Sequence, residues 1–102
     1  MRHPEGFEWH HEKAESNYRK HGVEFQQATR VFDDAFAVEG YDPLSFDYVE
    51  DRYLIIGMAG GQLLTVVYTE RQGTIRLISA RKSSRREHDD YCRQNASGRD
   101  RR

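Results

Sequence analysis

Arg52-Tyr53-Leu54-Ile55-Ile56-Gly57-Met58-Ala59-Gly60-Gly61-Gln62-Leu63-Leu64-Thr65-Val66-Val67-Tyr68-Thr69-Glu70-Arg71-Gln72-Gly73-Thr74-Ile75-Arg76-Leu77-Ile78-Ser79-Ala80-Arg81 is the stretch that decides the fold. It holds three runs rich in aliphatic, aromatic and β-branched residues, parted by Ala59-Gly60-Gly61 and Arg71-Gln72-Gly73. Such residues suit a pleated, half-buried surface, and glycine accepts the positive φ that tight hairpins impose. The stretch therefore predicts an antiparallel meander at 52–58, 62–70 and 74–81.

Upstream, Phe7 and Trp9 alternate with Glu8, as a short strand with one aromatic face would. From Glu12 the period changes: Ala14, Tyr18 and His21 stand at i, i+4 and i+7, with Asn17 on the same stripe. A helix over 12–21 follows, closed by Gly22 in the left-handed position with Val23 covering its end. Phe25, Ala28, Thr29 and Phe32 predict a second helix over 25–33, stopped by Asp33-Asp34. Phe36 and Val38 flank Ala37 in a short strand, and residues 40–50 read as a loop. Downstream of the meander, Ser84 precedes Glu87 by three, a capping box opening a helix over 84–94. This order packs as an α+β fold, helices against one face of a mainly antiparallel sheet with a C-terminal helix. A single domain over 1–94 and a polar, disordered tail over 95–102 are expected.

Charge is unevenly spread over the 102 residues, although the net is only −1. Residues 1–70 hold 6 Lys/Arg against 13 Asp/Glu, whereas residues 71–102 hold 10 against 4. Arg71, Arg76, Arg81, Lys82, Arg85 and Arg86 follow one another with no acid between them. Such a block either neutralises phosphates, with a salt-dependent affinity, or forms a solvated polar face. The lone Cys92 excludes an internal disulfide and has no local partner for nucleophilic chemistry. No apolar run approaches membrane-spanning length and no signal peptide opens the chain, so a cytoplasmic protein with no membrane partner is expected.

Lys20 and His21 end the first predicted helix, where the helix dipole favours a cation. There Lys20 suits a scissile phosphate and His21 a proton exchange; alternatively, His21 continues the buried stripe and hydrogen-bonds across the helix end. Asn17 reads as a structural hydrogen-bonding residue. Arg52, Arg76 and Arg81 come from the meander, and arginine's planar fork suits bidentate phosphate binding. Strand alternation sends Arg76 and Arg81 to opposite faces, so one site could use both only if a bulge or the strand end re-aims one. Glu70 serves as a base or neutralises Arg71 or Arg76; the ion pair is the reading taken. Tyr91 either stacks a base or anchors the last helix to the sheet. His10-His11 is an adjacent pair whose side chains diverge, and no Cys/His/carboxylate quartet has metal-binding spacing. Neither a metal nor a cofactor is expected, and no Walker loop, dinucleotide-binding glycine pattern or serine elbow occurs.

Lys20-His21-Gly22-Val23, Val31-Phe32-Asp33, Tyr68-Thr69-Glu70-Arg71 and Ile78-Ser79-Ala80-Arg81, in this order after Phe7-Glu8-Trp9, resemble the BrnT family. These are small ribonuclease toxins of type II toxin–antitoxin pairs, related to the RelE/ParE-like toxins, and the resemblance spans Phe7 to Tyr91. It implies a RelE-like fold and a metal-independent endoribonuclease that inhibits translation. It also implies a BrnA-like antitoxin with a ribbon-helix-helix part, through which alone operator DNA would be bound. Lys20, His21, Arg52, Arg76 and Arg81 are the catalytic candidates, and Arg71, Lys82, Arg85, Arg86 and Tyr91 the RNA-binding ones. Two departures stand out: His10-His11 where the family carries an aspartate and a turn residue, and Glu24 in place of a small residue. His10 is a poorer helix N-cap than aspartate. Two rivals remain: a non-catalytic module binding nucleic acid or protein through its basic face, and a toxin with a non-RNA target such as gyrase.

Overall fold

The computed structural model describes residues 6–43 and 51–99. Residues 44–50, most of the expected 40–50 loop, lie outside the described residues, as do 1–5 and 100–102. In chain order the elements are β1 (Phe7–Glu8), α1 (His11–His21), α2 (Phe25–Ala28) with a 3₁₀ turn (Thr29–Asp33), β2 (Val38–Tyr41), β3 (Tyr53–Ala59), β4 (Gln62–Arg71), β5 (Thr74–Lys82) and α3 (Arg85–Arg99). The strands form one sheet of order β1-β5-β4-β3-β2, in which β1 runs parallel to β5 and every other pair is antiparallel.

The meander forms as its glycines require. Gly60 and Gly61 have φ of 60° and 85°, and Gln72 and Gly73 have 50° and 81°. Two successive positive φ values make turns whose twist matches the flanking strands. Strand alternation then gives each face a distinct content. Ile55, Ala59, Leu64, Val66, Tyr68, Leu77 and Ala80 join Trp9, Val23, Phe25, Ala28 and Val31 in one core beneath α1, α2 and the 3₁₀ turn. The turn lies so close to β3 that a Cβ on Gly57 would sit 2.8 Å from Val31 Cγ1 and 3.1 Å from Val31 O.

The other face carries α3. Its capping box is reciprocal: Glu87 N donates to Ser84 Oγ (3.2 Å) and Ser84 N donates to Glu87 Oε1 (2.8 Å). Thr65 Oγ1 on β4 also donates to Glu87 Oε1 (2.8 Å). Farther along α3, Tyr91 OH donates to Asp34 Oδ2 (2.7 Å), and Asn95 Nδ2 to Phe36 O (3.2 Å).

Four elements differ from the sequence expectation. Tyr18 leaves the buried stripe of α1 and is 54% exposed, whereas Asn17 is buried on it. The second helix is α-helical only to Ala28 and tightens into the 3₁₀ turn, where Thr29 Oγ1 bonds Gln26 O at 2.7 Å. Thr29, Val31 and Phe32 lose χ1 freedom in an α-helix, so a tighter turn costs them little. The short edge strand is Val38–Tyr41 rather than 36–38, paired with Tyr53–Ile56. Finally, α3 does not stop near Gln94 but continues to Arg99, taking in residues assigned to a tail. Asn95 helps it continue by donating to Tyr91 O (2.7 Å) as well as to Phe36 O.

Candidate functional site

Helix α1 reaches the sheet through one buried side chain. The free edge of β5 pairs with β1 only at Ile75 and Arg76, and farther along, α1 takes over. Asn17 Nδ2 donates to Ala80 O (2.8 Å) and Asn17 Oδ1 accepts from Ala80 N (3.0 Å). The amide thus supplies both hydrogen bonds that a neighbouring strand would give Ala80. A further bond from Asn17 Nδ2 to Val23 O (3.1 Å) ties down the chain just past the helix. Gly22, at φ 71°, ends α1 by donating its N–H to Tyr18 O (2.8 Å). This leaves Arg19, Lys20 and His21 in the last turn, where cations meet the negative end of the helix dipole. The start of α1 is less well satisfied, because His10 makes no side-chain cap.

A bulge settles where the arginines of β5 point. Val67 faces Ser79 but Tyr68 faces Leu77, so Ile78 is an extra residue on β5. Arg76 pairs with Thr69 and Arg81 with Thr65, both odd-numbered positions of β4. The two arginines therefore share the sheet face opposite the core, which regular alternation forbids.

They do not share surroundings. A hollow of about 220 Å³ is lined by His10, Lys13, Arg52, Arg71, Arg76, Leu77 and Ile78. Beside it, a second hollow of about 180 Å³ is lined by Lys13, Ser16, Asn17, Lys20, His21, Ile78 and Ser79. Together they make a groove between α1 and β5, with Lys13 and Ile78 at its middle and, among the described residues, no carboxylate on its walls. Glu8 stands at the outer end, beside Arg71 and Arg76. Of the sequence candidates, Lys20, His21, Arg52, Arg71 and Arg76 line the groove. His21 is partly buried there and Lys20 exposed.

Arg81 is held elsewhere. Its Nη1 and Nη2 donate to Glu87 Oε1 (2.8 Å) and Oε2 (2.9 Å) in a bidentate pair. The Arg81 hydrogen bond outweighs burial and, with bonds from Ser84 N and Thr65, brings the Glu87 carboxyl down to about 2. Arg81 turns toward α3, because Glu87 of the capping box faces it across the strand end. Lys82, Arg85 and Arg86 are exposed around the start of α3 and line neither hollow. Tyr91 spends its hydroxyl on Asp34, so it anchors α3. Burial pushes the Asp34 carboxyl upward, but bonds from Met58 N, Tyr91 OH and Phe36 N leave it below its usual range. The ion pair expected of Glu70 with Arg71 or Arg76 gives way to another placement: Glu70 lies with Glu39, Tyr41, Tyr53 and Tyr68. Register explains it, since Glu70 pairs with Ile75 on the core side of the sheet and Arg76 points the other way.

Sequence reasoning missed Lys13 and His10 as groove residues. Lys13 carried a usable signal, because Lys13, Asn17 and Lys20 stand at i, i+4 and i+7 on one helix face. His11 turns away and pairs with Glu15 (3.4 Å) along the helix. Among the described residues, no three His, Cys, Asp or Glu side chains gather as a metal site, and no helix is long and apolar enough to cross a membrane. No curated protein matches the chain. A family model does: that of the ribonuclease toxin BrnT of type II toxin-antitoxin systems matches residues 9–87, a span that holds both hollows and the Arg81–Glu87 pair.

Proposed function

The chain belongs to the BrnT family of ribonuclease toxins of type II toxin–antitoxin systems, and from that premise we propose that the groove between α1 and β5 is where RNA is cut, without a metal ion. The observation that carries this reading is the convergence of Lys20 and His21 from α1 with Arg76 of β5 and Arg52, just before β3, on one groove whose described walls hold no carboxylate. A phosphodiester seated over Ile78 and Ser79 meets cations from both sides. The substrate's own 2′-hydroxyl attacks the adjacent phosphorus, the 2′-O–P bond forms and the P–O5′ bond breaks. His21 takes the 2′-proton and Lys20 supplies a proton to the departing 5′-oxygen, giving a cyclic phosphate and a free 5′-hydroxyl. Arg76 and Arg52 offset the charge that builds on the phosphorane oxygens. Arg81 acts at one remove, holding α3 on the sheet through Glu87, while Arg71 binds RNA at the outer end. Lys82, Arg85 and Arg86 form a more distant basic margin that guides the strand, while Tyr91 serves to anchor α3.

A type II toxin is neutralised by a protein antitoxin. In this reading the antitoxin is BrnA-like, covers the groove, and carries the ribbon-helix-helix part that binds operator DNA. The toxin itself acts in the cytoplasm. The test is RNA cleavage by the purified protein in excess chelator across a salt series. Cleavage should persist in chelator and fall as salt rises. Activity that disappears in chelator and returns with a divalent ion would overturn the mechanism, and RNA left intact under every condition would favour a non-catalytic module.

A further inference from the structure

Lys13 occupies a position that the cleavage chemistry leaves unused. It lines both hollows, as does Ile78, whereas Lys20 and His21 line only one and Arg52, Arg71 and Arg76 only the other. Seven residues along α1 separate Lys13 from Lys20, a rise of roughly 10 Å. The groove therefore has a length, with basic side chains at its two ends and in its middle: His21 and Lys20, then Lys13, then Arg76, Arg71 and His10. Among the described residues, no acid lies on these walls beside Lys13. Bulged, half-buried Ile78 lines both hollows and so lies where they meet.

We propose that the groove is a run of two phosphate subsites joined at Lys13 and that it takes single-stranded RNA. The scissile phosphate lies where the hollows meet, the adjoining phosphate lies between His10, Arg71 and Lys13, and the Lys13 ammonium reaches both. This rests on the reading of the groove as the RNA-cleaving site. A lysine suits a bridging role because its ammonium is a compact charge on a flexible stem. Hollows of about 220 and 180 Å³ are each of a size for a phosphate and its ribose. A-form geometry also keeps the 2′-oxygen out of line with the departing 5′-oxygen, and a strand bent over Ile78 can reach that alignment.

The test measures binding of a ten-nucleotide, fully 2′-O-methylated RNA strand, which cannot be cleaved, to the wild type, Lys13→Gln and Arg30→Gln across a salt series. Arg30 is exposed beside the β3–β4 hairpin, outside the groove, and matches the charge change. Each lost phosphate contact lowers the slope of log affinity against log salt by about 0.7 for a single strand. Lys13→Gln should flatten the slope by that amount or twice it, Arg30→Gln should leave it unchanged, and a duplex of the same length should bind more weakly. Equal slopes in Lys13→Gln and the wild type, equal losses in both variants, or a duplex bound as tightly as the single strand would overturn the proposal. Wild-type cleavage of unmodified RNA, assayed alongside, separates this failure from failure of the site itself: cleavage with an unchanged slope removes only the Lys13 subsite.

Discussion

Asn17 shows how one side chain can fix the position of a site it does not belong to chemically. Its amide satisfies both backbone groups of Ala80 and one of Val23, at distances of 2.8 to 3.1 Å. Truncation leaves a buried N–H and a buried C=O unpaired, each at a cost of about 1–3 kcal/mol. Asn17→Ala should thus be destabilised by about 2–4 kcal/mol, a fall of roughly 10 °C or more in melting temperature for a chain this size. Calorimetry of the purified variant checks this, and a melting temperature within two degrees or so of wild type would show that α1 does not depend on the contact. The residue was legible in the sequence as a hydrogen-bonding member of the helix stripe. Its partner was not, because nothing local says that β5 has an unpaired edge exactly one helix away in space; that follows only once β1 is seen to stop after Glu8. Lys13 was overlooked for a related reason: one lysine on an exposed helix face looks solvated until a strand arrives opposite it.

At the scale of elements, the strands and hairpins were legible because glycine placement and residue type both point to the same turns. The bulge at Ile78 was not. The run Ile75 to Ala80 breaks strict alternation at the adjacent apolar pair Leu77-Ile78, but only pairing with β4 shows that the extra residue is taken up as a bulge. That unseen residue decides whether Arg76 and Arg81 share a face. The helix α3 was legible at its start, where the capping box is local, and not at its end, where Asn95 relies on Phe36 across the fold. Its docking through Glu87 has a pH signature. The Glu87 carboxyl is lowered from 4.5 to about 2, so its contribution is complete above 4.5 and is lost as pH falls through about 2. Asp34, also lowered, acts in the same direction. Between pH 4.5 and 2 the melting temperature of wild type should fall more steeply than that of Glu87→Gln, which has no such charge to lose. Parallel pH profiles would show that the Arg81–Glu87 pair contributes nothing to stability.

Across the whole molecule, the two charge blocks of the sequence do not map onto two faces. Lys13, Lys20 and His21 come from the acid-rich first 70 residues, yet they complete a groove with Arg71 and Arg76 of the basic block. Meanwhile Arg81 of that block is matched by Glu87. A linear count of charge therefore locates nucleic-acid chemistry only roughly, since folding sorts the cations again by helix face and strand register. The central claim is that this re-sorted groove cuts RNA, and it is tested most directly by the cleavage rate of Arg76→Ala and His21→Ala on saturating RNA in chelator, with melting temperatures taken on the same samples. Removal of Arg76, which in this account stabilises a developing oxyanion, should cost roughly 10²–10³ in rate, about 2.7–4 kcal/mol, and loss of a general base such as His21 roughly 10²–10⁴. A loss of that size in protein still folded at the assay temperature is the expected result; an unchanged rate in both folded variants would contradict the account and place the chemistry outside the groove.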